Sequence, residues 1–341
     1  MLRSRNLPAT TAAALAVTVA LAGCSSTAPA AVKAVGLISI TYLQKQGDQQ
    51  YFRDEAAGAK ARAAELGIDL RLVDVGSDNE KAVAEVQAAV KRKADGVIVV
   101  VPDPAVGPQV VKIAQDAGIP LLASDDPICA NQTDPAVCAR QKLVPRVGFS
   151  GAQMGGAVGK RAAEEYLKAG WKASDTRIIA AGQQDVSVCR ERLDAAQLAF
   201  LSATSSVHTL NVRTDNTVAG AQKAVASMIA VEPGPVKHWL VWGCNDENVQ
   251  GAVTAIRNAG ADVPNVIGIG LGAYLACKEW SAPAASGMRA ALFINGKAVG
   301  ALAVQTMYDQ LRNGRSFPAE AFAGTTMVDP ASWQAAGVSC V

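Results

Sequence analysis

The stretch ADGVIVVVPDPAVGPQVVKIAQDAGIPLLASDDP, residues 94–127, decides the fold. Residues 97–101 form an unbroken β-branched apolar run, too short for an ordinary helix and stopped by Pro102 and Pro104. Residues 106–117 then place Val110, Val111, Ile113 and Ala114 at helical spacing, with Gly118 closing the segment. The apolar run resumes over 119–123, with Pro120 at its start, where a strand tolerates a missing donor. Strand, helix and strand in so few residues predict a parallel βαβ unit, whose strands are apolar throughout because both faces are covered. The second strand ends on Ser124, Asp125 and Asp126. Open α/β sheets bind ligands at the carboxyl ends of their strands, so the paired carboxylates are candidate ligand groups. A solvated turn in which Asp126 caps the next segment fits the same spacing.

The same grammar extends outward. Toward the N-terminus the sequence predicts a strand at 35–40, a helix at 52–66 ended by Gly67, a strand at 69–75 and a helix at 79–93. Between the first strand and its helix, residues 41–52 (TYLQKQGDQQYF) read as a long amide-rich loop ending in two aromatics. The pattern restarts with a strand at 144–149 and a helix at 151–168. A strand at 177–181, a loop at 182–192 and a helix at 193–201 follow. Later come strands at 236–242 and 266–271 around a helix at 247–259, then a strand at 288–294, a helix at 297–312 and a short β run at 324–328. This order predicts an α/β protein of two Rossmann-like, doubly wound, parallel-sheet lobes.

Residues 1–23 read as a signal peptide, with Arg3 and Arg5 ahead of an apolar core too short for a comfortable membrane span. Leu21-Ala22-Gly23-Cys24 is similar to a bacterial lipobox, which implies lipidation of Cys24, cleavage before it and anchoring at the extracytoplasmic face of the cell membrane. Residues 24–34 then form a flexible tether. Of 32 Lys and Arg, two lie in the leader, so the mature chain balances 30 basic against 30 acidic residues. With no basic tract, a nucleic-acid partner is not expected. Six cysteines besides Cys24 suit disulfides in an exported chain, with Cys129–Cys138 the first choice and Cys277–Cys340 the second. A metal site is not expected, since there is no CxxC and His208 and His238 stand far apart.

The strand-end loops carry recognition chemistry. Asp125 and Asp126 accept charge-assisted hydrogen bonds, Arg192 offers a planar fork of donors, and Asn245 both donates and accepts. Tyr51, Phe52, Phe149 and Trp242 offer flat apolar faces, although Tyr51, Phe52 and Trp242 also suit a lobe core and Asn245 a helix cap. That set fits a small neutral polyhydroxylated ligand. Nucleophilic chemistry has no GxSxG elbow, and adjacent carboxylates cannot easily flank one glycosidic bond. Without GxGxxG or a Walker loop no nucleotide cofactor is expected, and the chain does not read as an enzyme.

The QYF-led helix, VPDPAVG, ASDDP, RERLDA, VKHWLVWGCNDENVQGAVTAIRNAG and VIGIGLGAY together resemble the type I periplasmic binding proteins of ABC sugar importers, in particular the L-arabinose-binding branch. The resemblance spans about residues 35–330. It implies an N-terminal lobe of 35–148 and 290–317 and a C-terminal lobe of 149–289 and 318–341. Three hinge crossings would join them, near Phe149, near 287–289 and after Phe317. It implies that Tyr51 and Phe52 stack on a sugar, that Gln49, Asp125, Asp126, Arg192 and Asn245 bond its hydroxyls, and that Phe149 is an apolar hinge residue in contact with it. Lys45 stands behind an insertion that separates it from a firm match. The chain departs from the branch at Gly272 and Leu275, where polar residues are lost, and at Cys244, which replaces a Met; Tyr274, Asp185 or Asn295 would have to compensate.

The implied activity is capture of a small sugar, pentose or hexose, or a polyol, by a monomeric lipoprotein that hands it to an ABC permease without changing it. The same residues would serve a sugar-sensing receptor for a signalling partner. Repressor effector domains share the fold, but they carry a helix-turn-helix where this chain carries its leader.

Overall fold

The computed structural model describes residues 36–125, 128, 146–232, 234 and 236–340. The expected leader 1–23, Cys24, the tether, Asp126 and the Cys129–Cys138 pair lie outside the described residues.

Two six-stranded sheets carry the fold. In the first, β1 (Ser39–Gln44), β2 (Asp69–Asp74), β3 (Gly96–Val99), β4 (Leu121–Asp125), β5 (Arg146–Gly148) and β11 (Glu320–Phe322) run in the order β11-β5-β4-β3-β1-β2, every pairing parallel. In the second, β6 (Thr176–Gly182), β7 (His208–Arg213), β8 (His238–Gly243), β9 (Val266–Gly272), β10 (Met288–Ile294) and β12 (Thr325–Val328) run β12-β10-β9-β8-β6-β7. Only β12, against β10, is antiparallel. The expected pair of doubly wound parallel sheets is therefore the observed architecture. The stretch quoted first forms β3, α3 (Gly107–Asp116) and β4, and residues 97–101 are wholly buried, as a strand covered on both faces requires.

Helices α1 (Gln50–Leu66) and α2 (Asn79–Lys91) complete the first winding. Gly67, at φ 63°, closes α1 in the left-handed conformation, and the Asp78 side chain caps α2 by accepting from Lys81 N–H. Around the second sheet stand α4 (Gly151–Ala169), α5 (Ser187–Ala203), α6 (Val218–Val231), α7 (Asp246–Asn258) and the short α8 (Ala276–Ser281). Helix α9 (Gly296–Asn313) packs on α1, and glycine makes the approach possible, since a Cβ on Gly300 would overlap the Glu55 carbonyl oxygen. Among the described residues no helix is long and apolar enough to cross a membrane.

Several expectations shift. The first strand begins at Ser39, not 35, because Thr41, Tyr42 and Leu43 continue the pairing with β2 and β3; the long loop shrinks and α1 starts at Gln50. Tyr51 and Phe52 thus sit on the first turn of a helix. In the same way α5 starts at Ser187, which puts Arg192 on a helix and not in a loop. Strand β7 and helix α6 had no clear sequence signal. The strand is an edge with only Leu210 and Val212 buried, and α6 buries only Ala221 and Val225.

Among the described residues the chain passes between the sheets three times. The first crossing, between Gly148 and Gly151, falls beside Phe149. The second lies between Ile294 and Gly296, because residues 290–294 pair with β9 in the second sheet and not with the first lobe. The third follows Phe322, because residues 320–322 pair with β5 in the first sheet and not with the C-terminal lobe. Cys277 and Cys340 form a disulfide, matching the second-choice pair, and Cys189 bonds Cys244, a pairing the sequence did not suggest.

Candidate functional site

The carboxyl ends of β1, β2, β3 and β4 and those of β6, β7, β8, β9 and β10 border one cavity of about 290 Å³. The first sheet contributes Lys45, Gln46, Gln49, Gln50, Tyr51, Phe52 and Asp125 among others. The second contributes Arg192, Asn216, Asn245, Asp246, Glu247 and Tyr274 among others. The structure therefore brings Gln49, Tyr51, Phe52, Asp125, Arg192 and Asn245 to one cleft. Phe149 is buried and absent from its lining, packing instead at 6.2 Å from the Tyr51 ring. Trp242, offered as a flat face, is fully buried core against Phe200.

On the first wall, Asp125 ends β4 with φ at 62°, a left-handed conformation that aspartate tolerates better than most residues. Gly148 of the neighbouring strand lies so close that a Cβ there would stand 2.9 Å from the Asp125 Cα. Tyr51 donates its hydroxyl to Asp125 Oδ1 at 3.1 Å. The Tyr51 and Phe52 rings meet edge to face at 5.0 Å, and Lys45 Nζ lies 5.8 Å over the Phe52 ring. Burial, then the Asp125 charge, pushes the Tyr51 hydroxyl well above its ordinary range. Behind this wall, Tyr42 and Ser124 each donate to Glu55 Oε1 at 2.5 Å.

The second wall is largely bonded to itself. Arg192 Nη1 donates to the Cys244 carbonyl at 2.9 Å, beside the Cys189–Cys244 disulfide. Asn216, with φ at 62°, accepts from Gln183 N–H at 3.0 Å and from Asn248 Nδ2 at 2.8 Å. Asn245 caps α7 by accepting from Asn248 N–H at 3.0 Å, and its Nδ2 donates to the Asn216 carbonyl at 3.1 Å. The capping role and a place on the cleft wall thus coexist in one residue. Asp246, only 2% exposed, accepts from the N–H groups of Leu275 and Ala276 at 3.0 and 3.2 Å. Its burial raises its carboxyl while those N–H groups draw it down. Burial, and then the charge of Asp246, pushes the Glu247 carboxyl up to about 7.

The compensations imagined for Gly272 and Leu275 take other forms. Tyr274 lines the cleft, but its hydroxyl donates to the Ile294 carbonyl at 2.9 Å. Asp185 is exposed and paired with Arg213, and Asn295 caps α9. The glycines of β9 make room for Asp246 instead, since a Cβ on Gly270 would collide with its Oδ1. Sequence reading missed Asp246, Glu247 and Asn216. The GCNDEN run at a strand end could have flagged the first two, whereas the Asn216 signal depends on β7, which had none.

Among the described residues no group of His, Cys, Asp and Glu could hold a metal ion. Both histidines lie away from the cleft lining, and His238 stacks on Trp171 at 4.5 Å.

A family described as "Periplasmic binding protein domain" matches residues 40–316. The chain is 25% identical over 309 residues to the ABC transporter L-arabinose-binding periplasmic protein of Azospirillum brasilense, covering 89% of this chain and 90% of that one. It is 26% identical over 275 residues to the L-arabinose-binding periplasmic protein of Escherichia coli K12, covering 80% and 81%. The solute-binding protein of an ABC transporter from Actinobacillus succinogenes, solved with D-allose, superposes with a TM-score of 0.72 at 21% identity, covering 87% of this chain and 99% of that one. That last likeness is one of fold.

Proposed function

The chain belongs to the periplasmic binding protein family, and from that premise we propose that it captures a small sugar or polyol outside the cytoplasm and delivers it to an ABC permease. One observation carries the reading: a single cavity receives a carboxylate and aromatic rings from one sheet and an Arg and amides from the other. A ligand touching both walls holds the cleft closed, and closure is a hinge motion about the three crossings, biased by differential contact with open and closed forms. Asp125 and Gln49 take hydroxyl groups, Tyr51 and Phe52 pack on the ligand's apolar face, Arg192 holds it from the opposite side, and Asn245 shapes that opposite wall. Phe149 supports Tyr51 from within the core, and Asp126, next after Asp125 in the sequence, is proposed as a second acceptor. Lipidation at Cys24 would keep the receptor on the membrane face. Nothing in this set attacks a bond, so the ligand leaves unchanged.

A thermal-shift screen with pentoses, hexoses, deoxy-sugars, amino-sugars and polyols tests the reading. A binder present at 100 times its dissociation constant adds about 2.7 kcal/mol, a shift of several degrees. Silence across the whole panel rejects the sugar assignment.

A further inference from the structure

One buried ionisable group stands behind the clamp without belonging to it. Glu55 is 1% exposed and lies four residues after Tyr51 on α1, so the two side chains leave the same helix face. Tyr51 reaches Asp125 directly, whereas Glu55 reaches Ser124, the residue before it. The hydrogen bonds from Tyr42 and Ser124 both fall on Oε1, and among the described residues Oε2 has no partner. The groups that act on Glu55 are Tyr42 from β1, Lys45 just after it, Ser124 and Asp125 from β4, and Tyr51 on its own helix. Helix α9 crosses the Glu55 backbone with Gly296 and Gly300, and the backbone of its Lys297 lies against Gly58, three residues after Glu55. A second negative charge so near Asp125 is opposed by burial and by repulsion.

We propose that Glu55 is a positioning residue that holds a proton while the cleft captures its ligand, so that sugar binding at Asp125 is proton-linked. This inference rests on the sugar-binding reading. Burial, and then the Asp125 charge, holds the Glu55 carboxyl up at about 7, against the hydrogen bonds from Ser124 and Tyr42 and the charge of Lys45. Closing the cleft over a neutral sugar strips water from Asp125 and strengthens the repulsion, which raises the Glu55 value further. The sign follows by linkage. Affinity is full below about pH 7 and falls, by at most tenfold per pH unit, as pH rises from there to the bound-state value.

Carboxyl carbon NMR of the full chain without ligand, from pH 5 to 9, is expected to show a second inflection near 7 in the Asp125 resonance, absent in Glu55→Gln. Calorimetry with L-arabinose and with myo-inositol, each in two buffers of different ionisation heat, is expected to show proton uptake and a several-fold weaker affinity at pH 8.5 than at pH 6.5. Glu55→Gln flattens that profile. Tyr42→Phe removes a hydrogen bond to the charged form and is expected to move the Asp125 inflection upward, which keeps the test alive if the Gln variant does not fold. An Asp125 resonance with no second inflection, or a pH dependence of affinity unchanged in Glu55→Gln, overturns the proposal. If the inflection is present but neither sugar nor any member of the wider panel gives heat, the sugar reading falls while the coupling of Glu55 to Asp125 stands.

Discussion

The two walls of the cleft solve the same task with opposite chemistry. The first stacks acidic and phenolic groups behind one another, Asp125 in front of Ser124, Tyr42 and Glu55, with a buried carboxylate oxygen on Glu55 left unpartnered. The second joins Gln183, Asn216, Asn245 and Asn248 in a network of amides and ties Arg192 to the Cys244 carbonyl. Among the described residues the second wall also keeps unpartnered atoms, Arg192 Nε and Asp246 Oδ1, but its amides already meet one another, and groups so engaged gain less from a ligand while holding the wall's shape. The contrast assigns ligand affinity chiefly to the first wall and rigidity chiefly to the second.

The largest expected effect tests the rigidity half. Cys189 and Cys244 stand 55 residues apart in sequence. In the chain-entropy account a loop of that length gives a cross-link worth about 4 kcal/mol. Replacing both cysteines by serine is expected to lower the melting temperature by roughly 10 °C, read by calorimetry. An unchanged melting temperature means that the amide network, not the disulfide, holds this wall.

The affinity half is tested by removing one clamp group from each side. Asp125→Ala is expected to weaken sugar binding about a hundredfold, since charge-assisted hydrogen bonds to hydroxyls are lost in a site that excludes water. Arg192→Ala is expected to cost about tenfold, because part of its guanidinium is engaged with the Cys244 carbonyl whether or not a ligand is bound. Titration calorimetry with the panel's best binder measures both. Equal losses erase the distinction between the walls, and a larger loss at Arg192 inverts it.

The same contrast explains what could be read from the sequence. The first wall was legible because its elements have strong periodic signals: residues 97–101 and 119–125 form a parallel βαβ unit, and Asp125 falls at its carboxyl edge in any register. What failed there was local. Thr41, Tyr42 and Leu43 read as a loop, yet they pair on both sides and carry the strand onward, so the loop shortens and Tyr51 joins Phe52 on the helix. Glu55 carried no sequence signal of its own, and its burial comes from α1 laying it against Tyr42 of β1 and Ser124 of β4. On the second wall Arg192 and Asn245 were legible as residues near the carboxyl edge of the sheet, but their hydrogen bonds were not. Those depend on Asn216, which follows an edge strand with only two buried side chains, and on a disulfide that no spacing announced.

The smallest effect belongs to Asn245, and it separates the two roles that residue fills. Its Oδ1 accepts from Asn248 N–H as a helix cap, and its Nδ2 donates to the Asn216 carbonyl. Asn245→Ala loses both and is expected to cost about 1 kcal/mol of stability, as for other capping residues. Asn245→Asp keeps the cap and loses only the donor, so chemical denaturation should place it between the wild type and the alanine variant. Sugar affinity is expected to change less than threefold in either, because the amide is already engaged within its own wall. A loss of tenfold or more in both variants with unchanged stability would instead make the Asn245 amide a direct ligand contact. The second wall would then carry affinity in its own right, and rigidity would cease to be what distinguishes it.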